Sequence, residues 1–347
     1  MKIAVDCRYI GHSGIGRVCE GILDNLDYSE NEYFLIGQKK YLEKYIGAHI
    51  VENDTEPYSF KGLRSFDKKL NKLCDAIIIP NFLIPFGIKI PVYSVMHDLI
   101  FLDLKQTTRG IKDRLIKKIL LKRCMKRSKA ITCVSAFTLS RCKHYFGRYA
   151  EKCYVAYQGL SKDIINYAEH NAYISVKEDK IVFVGNVKPH KGLKTLLDAF
   201  SQVSGLTLKI IGEKENFLTG MNLDVSAYEH VFFTGRISDE ELFSEIESAK
   251  FLIQPSLYEG FGIPPLEALY LGTQPIISDI EVFREVYKDL PVVYFVDEKD
   301  LTEKMKRSPE TVDCREFINK QYNYKNFVRN ILNRIGTYSG KHQSDKT

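Results

Sequence analysis

No run of 18 consecutive apolar residues occurs in this sequence, so no membrane-spanning helix is expected. The opening Met1-Lys-Ile-Ala-Val-Asp lacks the basic leader, long apolar stretch and small-residue cleavage site of a secretory signal, and a cytoplasmic chain is expected. Eight cysteines (7, 19, 74, 124, 133, 142, 153 and 314) include no Cys-x-x-Cys pair. Most interrupt apolar segments, as buried free thiols do, so the expectation is a reduced protein without a cysteine-built zinc site. The full Gly-x-Gly-x-x-Gly dinucleotide fingerprint is also missing, which argues against a dehydrogenase.

What is present is a chain of 347 residues, about twice a typical domain, with 44% apolar and 27% charged residues. That balance fits folded globular domains rather than extensive disorder. The net charge of +6 is unevenly distributed. Residues 1–170 hold 28 Lys/Arg against 18 Asp/Glu, and residues 171–347 hold 22 against 26. The densest basic stretch carries Arg109, Lys112, Arg114, Lys117, Lys118, Lys122, Arg123, Lys126, Arg127 and Lys129, with Asp113 as its one acid. Within it Ile111, Leu115, Ile119 and Ile116, Leu120 recur at four-residue spacing, which predicts an amphipathic helix with a basic face. A solvated face on a packed helix and an anionic membrane surface both account for that pattern. The stretch lacks the interleaved aromatics of a single-strand nucleic-acid binder, and no nucleic-acid partner is expected.

Short apolar runs alternate with helical patterns along the chain. Strands are expected at 3–5, 33–36, 76–79, 92–96, 130–134 and 153–156, then at 180–184, 207–211, 231–234, 251–254, 275–277 and 292–295. Helical patterns at 16–26, 193–202, 239–248 and 264–271 fall between them. Strand and helix in repeated order predict an α/β fold of two Rossmann-like domains, each a parallel sheet covered on both faces. The expected domains are residues 1–165 and 175–315, with a closing helix at 316–338 that either crosses back to the first domain or rests on the second. The polar stretch Ser161–Glu178 reads as the connection, and the tail Ser339–Thr347 as disordered. Open parallel sheets bind ligands beyond the carboxyl ends of their strands, so two facing sheets predict a cleft site.

Three segments at such strand ends carry chemistry. Ser13-Gly14-Ile15-Gly16-Arg17 follows the first strand, and its glycines let backbone amides approach an anion at a helix start; a tight strand-to-helix turn is the alternative, and the motif alone favours it. Gly185-Asn186-Val187-Lys188-Pro189-His190-Lys191-Gly192 joins a strand to a helix, and its lysines suit a diphosphate; a basic surface loop is the alternative. Pro255-Ser-Leu-Tyr-Glu259-Gly260-Phe261-Gly262-Ile-Pro-Pro-Leu-Glu267-Ala268 offers exposed amides and two carboxylates eight positions apart, able to accept hydrogen bonds from sugar hydroxyls.

The Glu259 to Glu267 segment closely resembles the Glu-x7-Glu signature of family 4 retaining glycosyltransferases, and Gly185–Lys191 resembles their diphosphate loop. The resemblance continues through Asp6-Cys7-Arg8, Ser13–Gly16, His97-Asp98-Leu99, Val134-Ser135-Ala136-Phe137 and Gly235-Arg236-Ile237-Ser238, in order over roughly residues 1–335. It implies the GT-B fold and transfer of a hexose from a nucleotide-diphosphate sugar to a lipid-linked or surface-polysaccharide acceptor. Glu267 is thereby implied at the ribose hydroxyls, and Glu259 with the amides of Gly260, Phe261 and Gly262 at the transferred sugar. Lys191 is implied at the diphosphate, with Gly14 and Gly16 approaching it from the other domain. Arg236 and Ile237 are implied at the base, and His97 near sugar and acceptor. Many relatives carry arginine where this chain has Asn186, and Lys188 is placed to supply that charge. The sequence has no Asp-x-Asp, the metal signature of the other large glycosyltransferase fold, so no metal and no further cofactor are expected. GDP-mannose is the favoured donor, with UDP- and dTDP-sugars open. A non-catalytic nucleotide-sugar-binding partner subunit and a sugar-nucleotide epimerase are the competing readings.

Overall fold

Strands buried on both faces read as nearly continuous apolar runs, and such strands pair in parallel under helical cover. Ala76-Ile-Ile-Ile79, buried at every position, is one example, and Pro275-Ile-Ile-Ser278 is another. The computed structural model describes all residues except 12, 109, 172, 175, 214–227 and 345–347. Its strands are β1 (Lys2–Asp6), β2 (Glu32–Gly37), β3 (His49–Glu52), β4 (Ala76–Ile79), β5 (Val92–Met96), β6 (Ser128–Cys133), β7 (Cys153–Val155), β8 (Glu178–Val184), β9 (Thr207–Ile211), β10 (Val231–Gly235), β11 (Ala249–Gln254), β12 (Pro275–Ser278) and β13 (Val293–Phe295).

They form two sheets, in the orders β3-β2-β1-β4-β5-β6-β7 and β10-β9-β8-β11-β12-β13, with every pairing parallel. Each order reverses once, between β1 and β4 in the first sheet and between β8 and β11 in the second. Such a topological switch point is where doubly wound α/β sheets open a crevice for ligand.

Contact clustering divides the chain into two units. The first comprises Met1–Leu99, Leu115–Ser161 and the chain from Tyr322 onward; the second comprises Ile100–Arg114 and Lys162–Gln321. In the first unit, the C-terminal helix Tyr324–Ser344 packs through Tyr324, whose ring occupies the space left by the missing side chain of Gly21. Tyr157 meets Tyr322 edge to face at 5.7 Å, and Arg334 lies 4.5 Å over the Tyr154 ring. In the second unit, the helix Leu193–Phe200 turns Leu193, Leu196, Leu197 and Phe200 into the core at helical spacing. Burying each contributes about 1.5–3 kcal/mol.

Four local readings are corrected. Ser161–Glu178 is not an irregular connection, since it contains the helix Lys162–His170, which buries Ile164 and Ala168 one turn apart. The backbone of the tail is helical as far as Ser344. Strand β3 is absent from the expected set because it is a short edge strand, paired only with β2, and offers just Ile50 and Val51 as apolar residues. In the basic helix Ile111–Arg127, the residues turned inward are Leu121, Cys124 and Met125. The apolar stripe read from the spacing faces out: Ile111, Leu115, Ile116 and Ile119 are 88%, 56%, 57% and 57% exposed. Periodicity locates a face without saying which way it points.

Candidate functional site

In the second unit the loops leaving β8 and β11 flank the switch point. Gly185 and Gly192 adopt left-handed backbone angles (φ +152° and +68°), and between them Pro189–Lys191 makes a single 3-10 turn before the helix Leu193–Phe200. Gly192 permits a close approach to the neighbouring loop, since a Cβ there would fall 1.8 Å from the Pro255 carbonyl oxygen. The backbone N–H of Leu257 donates to the His190 carbonyl at 2.8 Å, fastening the two loops together.

This fastening brings Lys191 to Glu259, with Nζ donating to Oε1 at 2.7 Å. Ser256 Oγ donates to the same oxygen at 2.7 Å, and Gln254 Nε2 donates to Ser256 Oγ at 2.9 Å. Burial acts to raise the Glu259 carboxyl, but Lys191, the Ser256 hydroxyl and His190 outweigh it and hold the group below the ordinary range. His190 is lowered to about 4 by burial, with Lys191 adding to the effect, so its imidazole is neutral near pH 7. The local charge is therefore one ammonium and one carboxylate. Lysine has three N–H donors and the carboxylate accepts one, which leaves Lys191 donors for an anionic ligand.

The remaining predicted residues of this unit lie on the same carboxyl edge or just behind it. Asn186 Oδ1 accepts from the Glu213 backbone N–H at 3.3 Å, so the side chain bridges the loops after β8 and β9. Lys188 stands immediately before the 3-10 turn, and its carbonyl accepts from Lys191 N–H at 2.9 Å. Gly262 has φ +86°, and a Cβ there would lie 2.5 Å from the Phe283 ring; its carbonyl accepts from Tyr287 Oη. Gly260 stands between Glu259 and the buried Phe261. Glu267, 3% exposed, sits in the first turn of the helix Pro264–Tyr270. Arg236 is exposed and Ile237 half-buried; both follow β10, two strands across from β8, just before a capping box between Ser238 and Glu241.

The sequence carried no signal for one further element of this unit. Tyr258 Oη donates to Asp103 Oδ2 at 2.8 Å, so the short segment Ile100–Arg114 is tied to the residue next to Glu259. The partners lie 155 positions apart in the chain, and no motif links them.

In the first unit, the helix Ser13–Leu23 begins beyond the end of β1. Gly14 opens on free space, whereas a Cβ at Gly16 would lie 2.6 Å from the Tyr9 carbonyl oxygen, so Gly16 is needed for the turn itself. His97 follows β5 with Nε2 2.8 Å from the Pro80 carbonyl oxygen. Burial lowers its pKa, which gives a neutral ring donating from Nε2. Asp6 and Arg8, part of a recognised motif, form a buried two-pronged ion pair rather than an open site. On the basic helix, Arg123 donates to the Ile84 and Pro85 carbonyls and lies 4.5 Å over the Phe86 ring, while Arg127 donates to Ile88 and Arg114 to Leu102. Lys112, Lys118, Lys122, Lys126 and Lys129 are exposed. Arg109 lies outside the described residues.

Two doubly wound parallel sheets, with a lysine–carboxylate pair at the switch point of the second, define a Rossmann-type architecture, in which ligands bind beyond the carboxyl ends of the strands. Residues 168–324 match the family described as glycosyl transferases group 1. The O-antigen chain mannosyltransferase RfbU of Salmonella typhimurium is 32% identical over 183 residues, covering 50% of this chain and 50% of that protein. The match thus spans about half the length of that curated relative. Over nearly the whole chain the fold is similar to Anabaena HepE, solved in complex with UDP and glucose (TM-score 0.66, 16% identity, 97% of this chain and 99% of that one). It is also similar to sucrose-phosphate synthase of Thermosynechococcus elongatus (TM-score 0.73, 14% identity, 99% and 100%). The fold class is GT-B.

Proposed function

We propose that the protein is a retaining, metal-independent glycosyltransferase that moves a hexose from a nucleotide-diphosphate sugar to a lipid-linked or surface-polysaccharide acceptor. The observation that carries this reading is the Lys191–Glu259 pair, held where the loops after β8 and β11 are fastened, within the stretch that matches the group 1 family. Cleaving the bond to a nucleoside diphosphate builds negative charge on the departing phosphate. Lys191, Lys188 and the N-terminus of the helix Leu193–Phe200 supply positive charge for it. Among the described residues, Lys191, Ser256 and Gln254 all donate to Glu259 Oε1, so Oε2 is the oxygen assigned to the sugar hydroxyls. Because its neighbours hold Glu259 ionised, it does not act as the acid of a glycosidase-type carboxyl pair. The roles of Glu267, Arg236, Ile237, Gly14, Gly16 and His97 rest on the family resemblance. The mannosyltransferase relative favours GDP-mannose as donor.

Thermal-shift measurements against GDP-, UDP- and dTDP-sugars test the reading. One nucleotide class should stabilise the protein, by roughly 2.7 kcal/mol at a hundredfold excess over its dissociation constant. EDTA should leave that ligand-induced shift unchanged relative to its own baseline, and Glu267→Ala should abolish it. No shift from any donor at millimolar concentration would overturn the catalytic reading in favour of a non-catalytic subunit.

We further propose that the helix Ile111–Arg127 works at an anionic membrane surface. Exposed Leu115, Ile116 and Ile119 share one side of the helix with Lys118, Lys122 and Lys126, the pattern of an interfacial helix. Each basic residue near such a surface contributes about 1 kcal/mol. The double substitution Lys118→Gln/Lys122→Gln should therefore weaken partition onto anionic vesicles roughly 25-fold, as read by co-sedimentation. Equal sedimentation of the wild type with neutral and anionic vesicles would refute the assignment.

A further inference from the structure

Three cysteines with no motif spacing converge inside the first unit. β6 ends at Cys133, the helix Ala136–Phe146 carries Cys142, and β7 begins at Cys153. In the parallel register Ile131 lies opposite Cys153, and Cys133 lies opposite Val155. Side chains alternate along a strand, so Cys133 and Cys153 project from the same face of the sheet. The helix turns Thr138, Cys142 and Phe146 inward at four-residue spacing, which sets Cys142 against that face. The three Sγ atoms all lie within 4.8 Å of one another, and Cys133 Sγ is 3.9 Å from Cys142 Sγ.

We propose that Cys133, Cys142 and Cys153 form a binding site for a thiophilic divalent metal ion, with Zn²⁺ as the ion that fits it. Zinc binds thiolate sulfur at about 2.3 Å in tetrahedral geometry, which separates neighbouring sulfurs by about 3.8 Å. The Cys133–Cys142 spacing already has that value, so metal entry requires little rearrangement there. Binding converts three thiols to thiolates, releasing their protons to solvent, and leaves a fourth corner of the tetrahedron for water. Cys153 is the half-buried member, which provides the route of entry.

The site has a structural use. β7 is a three-residue edge strand paired only with β6, and short edges are weakly held. A metal bridging β6, the following helix and β7 would staple that edge to the sheet. The site lies apart in the chain from the donor loops of the second unit, and its test does not use activity.

The experiment uses the full chain, purified reduced and stripped with EDTA, then titrated with Co²⁺. Sulfur-to-cobalt charge-transfer absorption should saturate at about one equivalent and disappear when Zn²⁺ is added. Cys142→Ser should abolish the absorption, whereas Cys74→Ser and Cys314→Ser, which alter cysteines elsewhere, should retain it. A second measurement needs no substitution: one equivalent of Zn²⁺ should slow alkylation of Cys153 in the wild type at least tenfold. No charge-transfer band in the wild type, a band that survives in Cys142→Ser, or an alkylation rate indifferent to Zn²⁺ would each overturn the proposal.

Discussion

Lys191→Met is expected to lower transfer from the nucleotide sugar by two to three orders of magnitude and to reverse the pH dependence of stability in the second unit. The first effect follows from the chemistry proposed for the loop. Removing one preorganised donor aimed at developing negative charge typically costs about 10²–10³ in rate. The second follows from Glu259. In the wild type its carboxyl is held below the ordinary carboxylate range because Lys191, Ser256 and His190 outweigh burial. A carboxyl with a lowered folded pKa contributes stability that is fully present above the unfolded value, about 4.3, and is lost as pH falls through the folded value. Once Lys191 is gone, burial is the dominant influence left on Glu259 and pushes the carboxyl up. Stability is then lost as pH rises above the unfolded value, because ionisation places an uncompensated charge in a poorly solvated site. Between pH 4 and 7 the melting temperature of the wild type should therefore hold or rise while that of Lys191→Met falls. The double substitution Lys191→Met/Glu259→Gln should flatten the slope without restoring transfer. A Lys191→Met protein that keeps the wild-type slope would show that the pair does not govern Glu259, and one that keeps wild-type transfer would remove the lysine from the mechanism.

How much of this was legible in the sequence depends on chain distance. The loops after β8 and β11 could be read because each packs its chemistry into about a dozen consecutive residues, with glycines marking where the backbone must come close. Gly192 against Pro255 is such a contact. The strand order was not written locally, but alternating apolar runs and helical patterns restrict a chain of this length to parallel sheets with helices on both faces. What could not be read depends on partners brought together only by folding. Tyr258 and Asp103 are 155 positions apart, and the three clustered cysteines are separated by spacings that match no metal motif. The basic helix shows a different limit. Its four-residue apolar spacing was visible, yet the choice between inward and outward was made by Leu121, Cys124 and Met125, which anchor the other side.

Asp6-Cys7-Arg8 was visible as a motif, while its physical role was not, and that role leads to the largest stability effect expected. Asp6 and Arg8 are 1% and 5% exposed at the carboxyl end of β1. Arg8 Nε and Nη2 donate to the two Asp6 carboxylate oxygens at 2.8 and 2.7 Å. Its Nη1 donates to the Gly62 carbonyl at 2.9 Å and to Ser65 Oγ at 2.8 Å. The guanidinium thus fastens the end of β1 to the short helix Phe60–Arg64 and its C-cap Ser65, on the carboxyl edge of the first sheet from which the helix of Gly14 and Gly16 departs. Arg8→Met removes the fork and leaves Asp6 as a buried charge without its partner. Breaking a buried pair in this way typically costs about 3–5 kcal/mol, a large share of the roughly 5–15 kcal/mol that holds a domain folded. At about 2–4 °C per kcal/mol for a unit of this size, the first unit should melt roughly 6–20 °C lower. Arg8→Lys should recover only part of the loss, because an ammonium cannot reach both carboxylate oxygens and the Gly62 carbonyl in one plane. The double substitution Asp6→Leu/Arg8→Met should be less damaging than Arg8→Met alone, since it removes the orphaned charge along with its partner. A single substitution that costs under 1 kcal/mol would mean that water reaches Asp6 once the guanidinium is gone and that the helix Phe60–Arg64 is held by other contacts. A double substitution worse than the single would instead place the stabilisation in the hydrogen bonds of Asp6 rather than in the pair.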